Sequence, residues 1–170
     1  MLENVSWTAN LYVTGTEVKH IPTRGFLITT RGKVLIENNQ FDKTIMSAIL
    51  IANDANYWFE SGYVRDVNIL NNVFDSCGEP VINVHPEVLE FDEKKQVHQN
   101  IRISNNSFNL KNNLFLSAQS TKNMAIENNS FYLTHSSGID ELCKFNKCQL
   151  VKIENNKILE AGSSAIHITN

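Results

Sequence analysis

The chain has 170 residues, of which 42% are hydrophobic, 9% aromatic and 19% charged, and 18 acidic against 15 basic residues leave a net charge of −3. That is the length of one domain or of one piece of a larger one, with enough apolar material for a sizeable core, which excludes a disordered chain. No basic tract stands out, which excludes a nucleic-acid partner held through its phosphates, and no run of about 18 apolar residues exists to cross a membrane as a helix.

The N-terminus, Met1 to Trp7, has no basic start followed by an apolar stretch, so no signal peptide is expected in this chain. The first patterned segment is Thr23 to Lys33, in which Gly25-Phe-Leu-Ile28 reads as a strand with Arg24 and Arg31 at its ends. Arginine forks onto carboxylates or sugar hydroxyls, or supports a turn through a salt bridge, and both readings stand for these two residues.

Five segments then align without gaps: Val34 to Phe41, Val67 to Phe74, Ile101 to Phe108, Met124 to Phe131 and Val151 to Ile158. All read apolar-x-apolar-x-Asn-Asn-x-apolar. The period of two marks a short strand with one buried face, and the Asn pair turns the chain because Asn tolerates the left-handed backbone region. A second strand follows most pairs, at Ala48–Ile51, Val81–Val84, Leu114–Leu116 and Ala165–Ile168, with a degraded copy near Ser136–Ile139. The Asn pairs are spaced by 33, 34, 23 and 27 residues. The shortest spacing suits one rung of a solenoid, and the longer ones a rung with an insertion.

Strand-turn-strand units without a helical period predict an all-β fold, a parallel β-helix of about six rungs with an internal Asn ladder, forming one domain over residues 1–170. Phe41, Phe74, Phe108 and Phe131 share one register and are expected to stack inside. An uncapped first rung predicts self-association through its exposed edge, or coverage of that edge by residues 1–20.

Two long insertions fall at the same corner of neighbouring rungs, at 52–66 and 85–99, where stacked insertions commonly wall a binding groove. The first holds Asp54, Glu60 and Asp66 beside Tyr57, Trp58, Phe59 and Tyr63. Rings stack on the apolar faces of pyranoses while carboxylates bind hydroxyls or act as acid and base. The alternative has Trp58 and Phe59 plug the loop onto the solenoid with the acids solvated. The second insertion reads mostly as a solvated flap, and His85, at a strand end, either lines the groove or makes a structural hydrogen bond. The site residues expected from this pattern are Asp54 and Glu60 as catalytic candidates, and Arg24, Arg31, Tyr57, Trp58 and His85 as substrate-binding groups.

There is no C-x-x-C pair, no H-E-x-x-H and no glycine-rich phosphate loop, so neither a metal nor a cofactor is expected. Three cysteines, Cys77, Cys143 and Cys148, imply no disulfide framework, although Cys143 and Cys148 can pair in an oxidising compartment.

At Thr23 to Asn39 and Ser47 to Gly62 the sequence resembles glycoside hydrolase family 110, bacterial exo-acting α-1,3-galactosidases built on a right-handed parallel β-helix. The resemblance is best from about Trp7 to Pro86, and covers the C-terminal part of enzymes several times longer. It implies right-handedness and removal of terminal α-1,3-linked galactose with inversion. It also implies a galactose-terminated glycan as partner, and a periplasmic or extracellular parent enzyme. The family's acidic catalytic pair has no matching position in this chain. A non-catalytic carbohydrate-binding β-helix and a structural solenoid cap are the alternatives.

Overall fold

The computed structural model describes residues 6, 8–54, 62–88, 94–133, 138–160 and 166–168. Within these the chain winds through rungs. The first holds β1 (Leu11–Thr14), β2 (Glu17–Lys19) and β3 (Phe26–Ile28), and the second β4 (Lys33–Glu37), β5 (Gln40–Asp42) and β6 (Ser47–Ile51). The third holds β7 (Asp66–Leu70), β8 (Val73–Asp75) and β9 (Gly78–Val84), and the fourth β10 (His98–Ser104), β11 (Ser107–Asn109) and β12 (Leu116–Gln119). The fifth holds β13 (Thr121–Glu127), β14 (Ser130–Leu133), a single helical turn α1 (Ile139–Leu142) and β15 (Cys143–Asn146). The sixth has β16 (Gln149–Glu154) and β17 (Asn156–Glu160), followed by β18 (Ile166–Ile168).

Every strand but β18 pairs in parallel with its counterpart one rung away, and the strands build three sheets of six, seven and five strands. The first sheet carries the predicted apolar-x-apolar strands in the predicted register, with Val34 beside Val67, Val67 beside Ile101, and Ile101 beside Met124. Their inward residues, such as Ile36, Ile69, Ile103 and Ile126, are wholly buried.

The Asn pairs turn the chain between the first and second sheets with a division of labour. The first Asn of each pair, at 38, 71, 105, 128 and 155, takes a left-handed φ of 55–58°. The second points inward. Asn39 donates from its backbone N–H (2.9 Å) and its amide (3.0 Å) to Oδ1 of Asn72. Asn72 does the same to Asn106, Asn106 to Asn129, and Asn129 to Asn156. Each amide also returns a bond to the preceding rung, as Asn106 does to the Ile69 carbonyl at 2.9 Å. The amides of the ladder are thereby satisfied by one another and by backbone carbonyls.

Beside the ladder stands the aromatic column, with ring centroids 4.8 Å apart for Phe41–Phe74, 4.8 Å for Phe74–Phe108 and 5.2 Å for Phe108–Phe131. These spacings follow the separation of paired strands, ~4.8 Å. Phe26, on β3, and Phe115, the residue before β12, meet the column from the side of the third sheet.

The third sheet differs from the sequence reading in three places. The expected strand at Leu114–Leu116 begins only at Leu116, because the Glu79 carboxylate takes the backbone N–H groups of Lys111, Asn112 and Leu114 (2.7, 2.8 and 2.9 Å) and holds that stretch as a bend. The fifth rung's copy was expected near Ser136–Ile139, of which residues 136 and 137 lie outside the described residues; the strand that pairs with β12 is Cys143–Asn146, after the helical turn. The segment Ala165–Ile168 was expected as a further copy; β18 instead pairs antiparallel with β17 and joins the second sheet. Cys77, Cys143 and Cys148 are all free thiols, with burial raising the pKa of Cys77 and of Cys148.

Candidate functional site

Over the last three residues of β3, β6 and β9 the middle side chain faces outward and the final one inward. Ile49 and Ile51 face the core, so Leu50 and Ala52 face outward. In the first rung Ile28 is buried and Leu27 is 38% exposed. Over this outer face lies a cleft of about 850 Å³, floored by Leu27, Leu50, Ala52 and Asn83. That volume falls within the range usual for small-molecule sites, ~300–1,000 Å³.

One wall rises where the strands end. Beyond β6 and β9 the two chains stay in parallel register through a bridge between Asp54 and Glu87, in which the Glu87 N–H donates to the Asn53 carbonyl at 3.0 Å. His85 is held by its N–H on the Ile51 carbonyl at 2.9 Å, and its Nε2 lies 3.4 Å from Oε1 of Glu87. Asp54 is only 8% exposed, while His85 and Glu87 reach into solvent. The opposite wall stands where the strands begin, from Arg24, the turn residues Ile45 and Met46, and Glu79 with Pro80. This turn packs tightly against the next rung. An added Cβ at Gly78 would lie 2.2 Å from the Ile45 carbonyl oxygen, so no side chain fits there.

The cleft therefore gathers Arg24, Asp54 and His85, three of the expected site residues. Arg31 is not among the residues lining it. Its guanidinium lies 4.6 Å from the ring of Tyr63, which Arg65 also approaches at 4.6 Å. Tyr57, Trp58 and Glu60 lie outside the described residues. Sequence reasoning missed Asn83, Glu79 and Glu87. Glu87 had a signal, since it follows Asp54 by 33 residues, one of the rung spacings, and so had to stand beside it.

Close to the base of the two insertions, His98 is fully buried and accepts a bond on Nδ1 from the Val64 N–H at 3.2 Å. Burial, and secondarily the charge of Arg65, push its pKa down to about 3. The ring is neutral at ordinary pH and ties Val64, near the end of the 52–66 insertion, to the first residue of β10.

Chemically the cleft offers carboxylates that accept from hydroxyls, a guanidinium that donates, and an aliphatic floor for C–H groups. Among the described residues no three His, Cys, Asp or Glu side chains gather as a metal site would need.

Residues 24–170 match the family model described as the right handed beta helix region. Among curated proteins, the chain is 44% identical over 131 residues to alpha-1,3-galactosidase A of Akkermansia muciniphila, covering 77% of this chain and 22% of that protein. It is 38% identical over 162 residues to alpha-1,3-galactosidase A of Bacteroides thetaiotaomicron, covering 93% of this chain and 28% of that protein. It is also 36% identical over 175 residues to alpha-1,3-galactosidase B of the same organism. The chain thus spans about a quarter of the length of these relatives.

Proposed function

The chain belongs to the right-handed β-helix family, and from that premise we propose that it forms part of a bacterial glycoside hydrolase that removes terminal α-1,3-linked galactose from glycans. The observation that carries this reading is the cleft on the third sheet, where Arg24, Asp54 and His85 surround an aliphatic floor of a size to hold a sugar. The names of the relatives supply the sugar and linkage.

In this reading Asp54 and Arg24 grip hydroxyls of the terminal galactose from opposite walls, and Leu27 and Leu50 meet its C–H face. Tyr57, Trp58 and Glu60, from the same insertion as Asp54, are proposed as further groups for the sugar. Arg31 supports that insertion through Tyr63. Hydrolysis proceeds with inversion by direct attack of water, which requires an acid and a base carboxyl roughly 6.5–9.5 Å apart. The parent enzyme acts in the periplasm or outside the cell, where galactose-terminated glycans are met.

The test is hydrolysis of an α-1,3-linked galactoside by the intact enzyme containing this segment, with its Asp54→Asn and Glu60→Gln variants. Loss of one charge-assisted hydrogen bond to a hydroxyl lowers kcat/KM about tenfold to a hundredfold. A loss above about a thousandfold, mainly in kcat, makes the substituted residue a catalytic acid or base. Full activity in both variants, with unchanged melting, would reduce this cleft to scaffold.

A further inference from the structure

The outward row along the floor of the cleft changes character from rung to rung. Leu27 stands beside Leu50, Leu50 beside Asn83, Asn83 beside Ser117, and Ser117 beside Lys144. Two aliphatic positions give way to an amide, a hydroxyl and an ammonium, in one line parallel to the solenoid axis. The walls follow the same order. Arg24 belongs to the first rung and Asp54 to the second, whereas Glu79, His85 and Glu87 belong to the third.

We propose that the cleft holds its glycan lengthwise along the solenoid axis, with the terminal sugar over Leu27 and Leu50 and the next sugar over Asn83, running toward Ser117. This orientation rests on the galactoside reading above and goes beyond it by assigning a direction and two subsites. Galactose has an axial O4, which leaves the C–H groups of C3, C4 and C5 together on one face. That face suits two leucines, with the hydroxyls turned sideways to Arg24 and Asp54. The outward floor position of the third rung is Asn83, with Pro80 in the wall, so the second sugar is held mainly by polar groups, the Asn83 amide below and His85 and Glu87 beside it. From Leu27 to Asn83 the row spans two strand spacings, ~9.6 Å, a length for two linked rings rather than one.

The experiment measures, in the intact enzyme containing this segment and in its Leu50→Asn and Asn83→Ala variants, inhibition by methyl α-galactoside and the KM for α-1,3-galactobiose. Leu50→Asn is expected to weaken both ligands about tenfold. Asn83→Ala is expected to weaken the disaccharide about threefold to tenfold and leave the monosaccharide unchanged. Melting curves establish folding, and Leu27→Asn replaces Leu50→Asn if the latter does not fold. If Asn83→Ala weakens the monosaccharide as much as the disaccharide, or if the leucine variant spares the monosaccharide, the assigned direction is wrong. If the unsubstituted enzyme neither hydrolyses the disaccharide nor is inhibited by the monosaccharide, the galactoside reading itself falls and the two subsites with it.

Discussion

Asn106 spends every hydrogen-bonding group of its side chain inside the wall of the solenoid. Its amide donates to the Ile69 carbonyl, the Ser104 carbonyl and Asn129, and its Oδ1 receives both the backbone and the amide of Asn72. Asn106→Leu would strand those neighbours away from water, and about 1–3 kcal/mol of stability is expected to go, read as a lower denaturant midpoint. A second left-handed column runs along the outer edge of the first sheet at Asn100, Asn123 and Leu150, with φ of 53, 59 and 54°. Asn100 donates to the Arg65 carbonyl at 2.9 Å and Asn123 to Asn100 at 2.7 Å. Leu150 is 69% exposed and pays the left-handed strain without continuing that chain of amides. Leu150→Asn should therefore stabilise by about 1 kcal/mol, visible as a raised melting temperature. His98 carries the pH dependence. Below pH ~6.5 the unfolded chain binds a proton on this ring that the folded chain refuses until about pH 3. Its contribution is intact above that window and is lost as the pH falls through it, by up to ~1.4 kcal/mol per pH unit. Denaturant midpoints at pH 7.5, 6 and 5 should fall more steeply for the unsubstituted protein than for His98→Asn.

Elements were legible where they were long or repeated. The first sheet and the Asn turns stood out because period-two strands and a rare dipeptide recur together. The second sheet did not, since its strands, such as Gln40–Asp42, are mostly three residues long and begin directly after the ladder Asn. Three residues show no period, and only their buried Phe betrayed a common register. The strand Cys143–Asn146 was hidden because Cys-Lys-Phe-Asn has no aliphatic run, while Ile166–Ile168 has one and joins another sheet. Apolar character fixes which face of a strand is buried but not which sheet receives it. Between β5 and β9 the close approach of backbones is itself an element-level constraint. Gly78→Ala would drive a methyl group onto the Ile45 carbonyl, and about 1–3 kcal/mol of destabilisation is expected by chemical denaturation. The same variant displaces Ile45 and Met46, so it should also weaken any ligand of the cleft.

Across the whole molecule the ladder residues are 33, 34, 23 and 27 positions apart. A turn of the solenoid therefore closes with 23 residues, as between Asn106 and Asn129, and the surplus elsewhere is insertion. If 85–99 is an insertion, as the spacing suggests, replacing residues 89–93 by two glycines should leave the melting temperature within a few degrees, because loop length costs little once a rung is closed. Arg24, Asp54 and His85 were legible as a group and line one cleft. Glu79 was not readable, since its carboxylate is recruited by backbone groups of the following rung, a contact that no spacing within its own repeat encodes. Arg31 looked equivalent to Arg24 because both flank one strand, yet the two ends of that strand face different surroundings.

The ladder also has a sense of travel. In every step the backbone N–H and amide of one Asn are aimed at the Oδ1 of the next, never the reverse, from Asn39 through to Asn156. Amides aligned this way polarise one another, so the column behaves as a one-way electrical chain rather than a neutral stack. Its two faces are consequently unlike partners. A rung joined ahead of Asn39 has to supply a donor, as the Thr16 N–H does at 2.9 Å, while a rung joined behind Asn156 has to supply an acceptor. A solenoid assembled by exchanging rungs between such proteins is thus a grammar with word order: each piece fits on one side only.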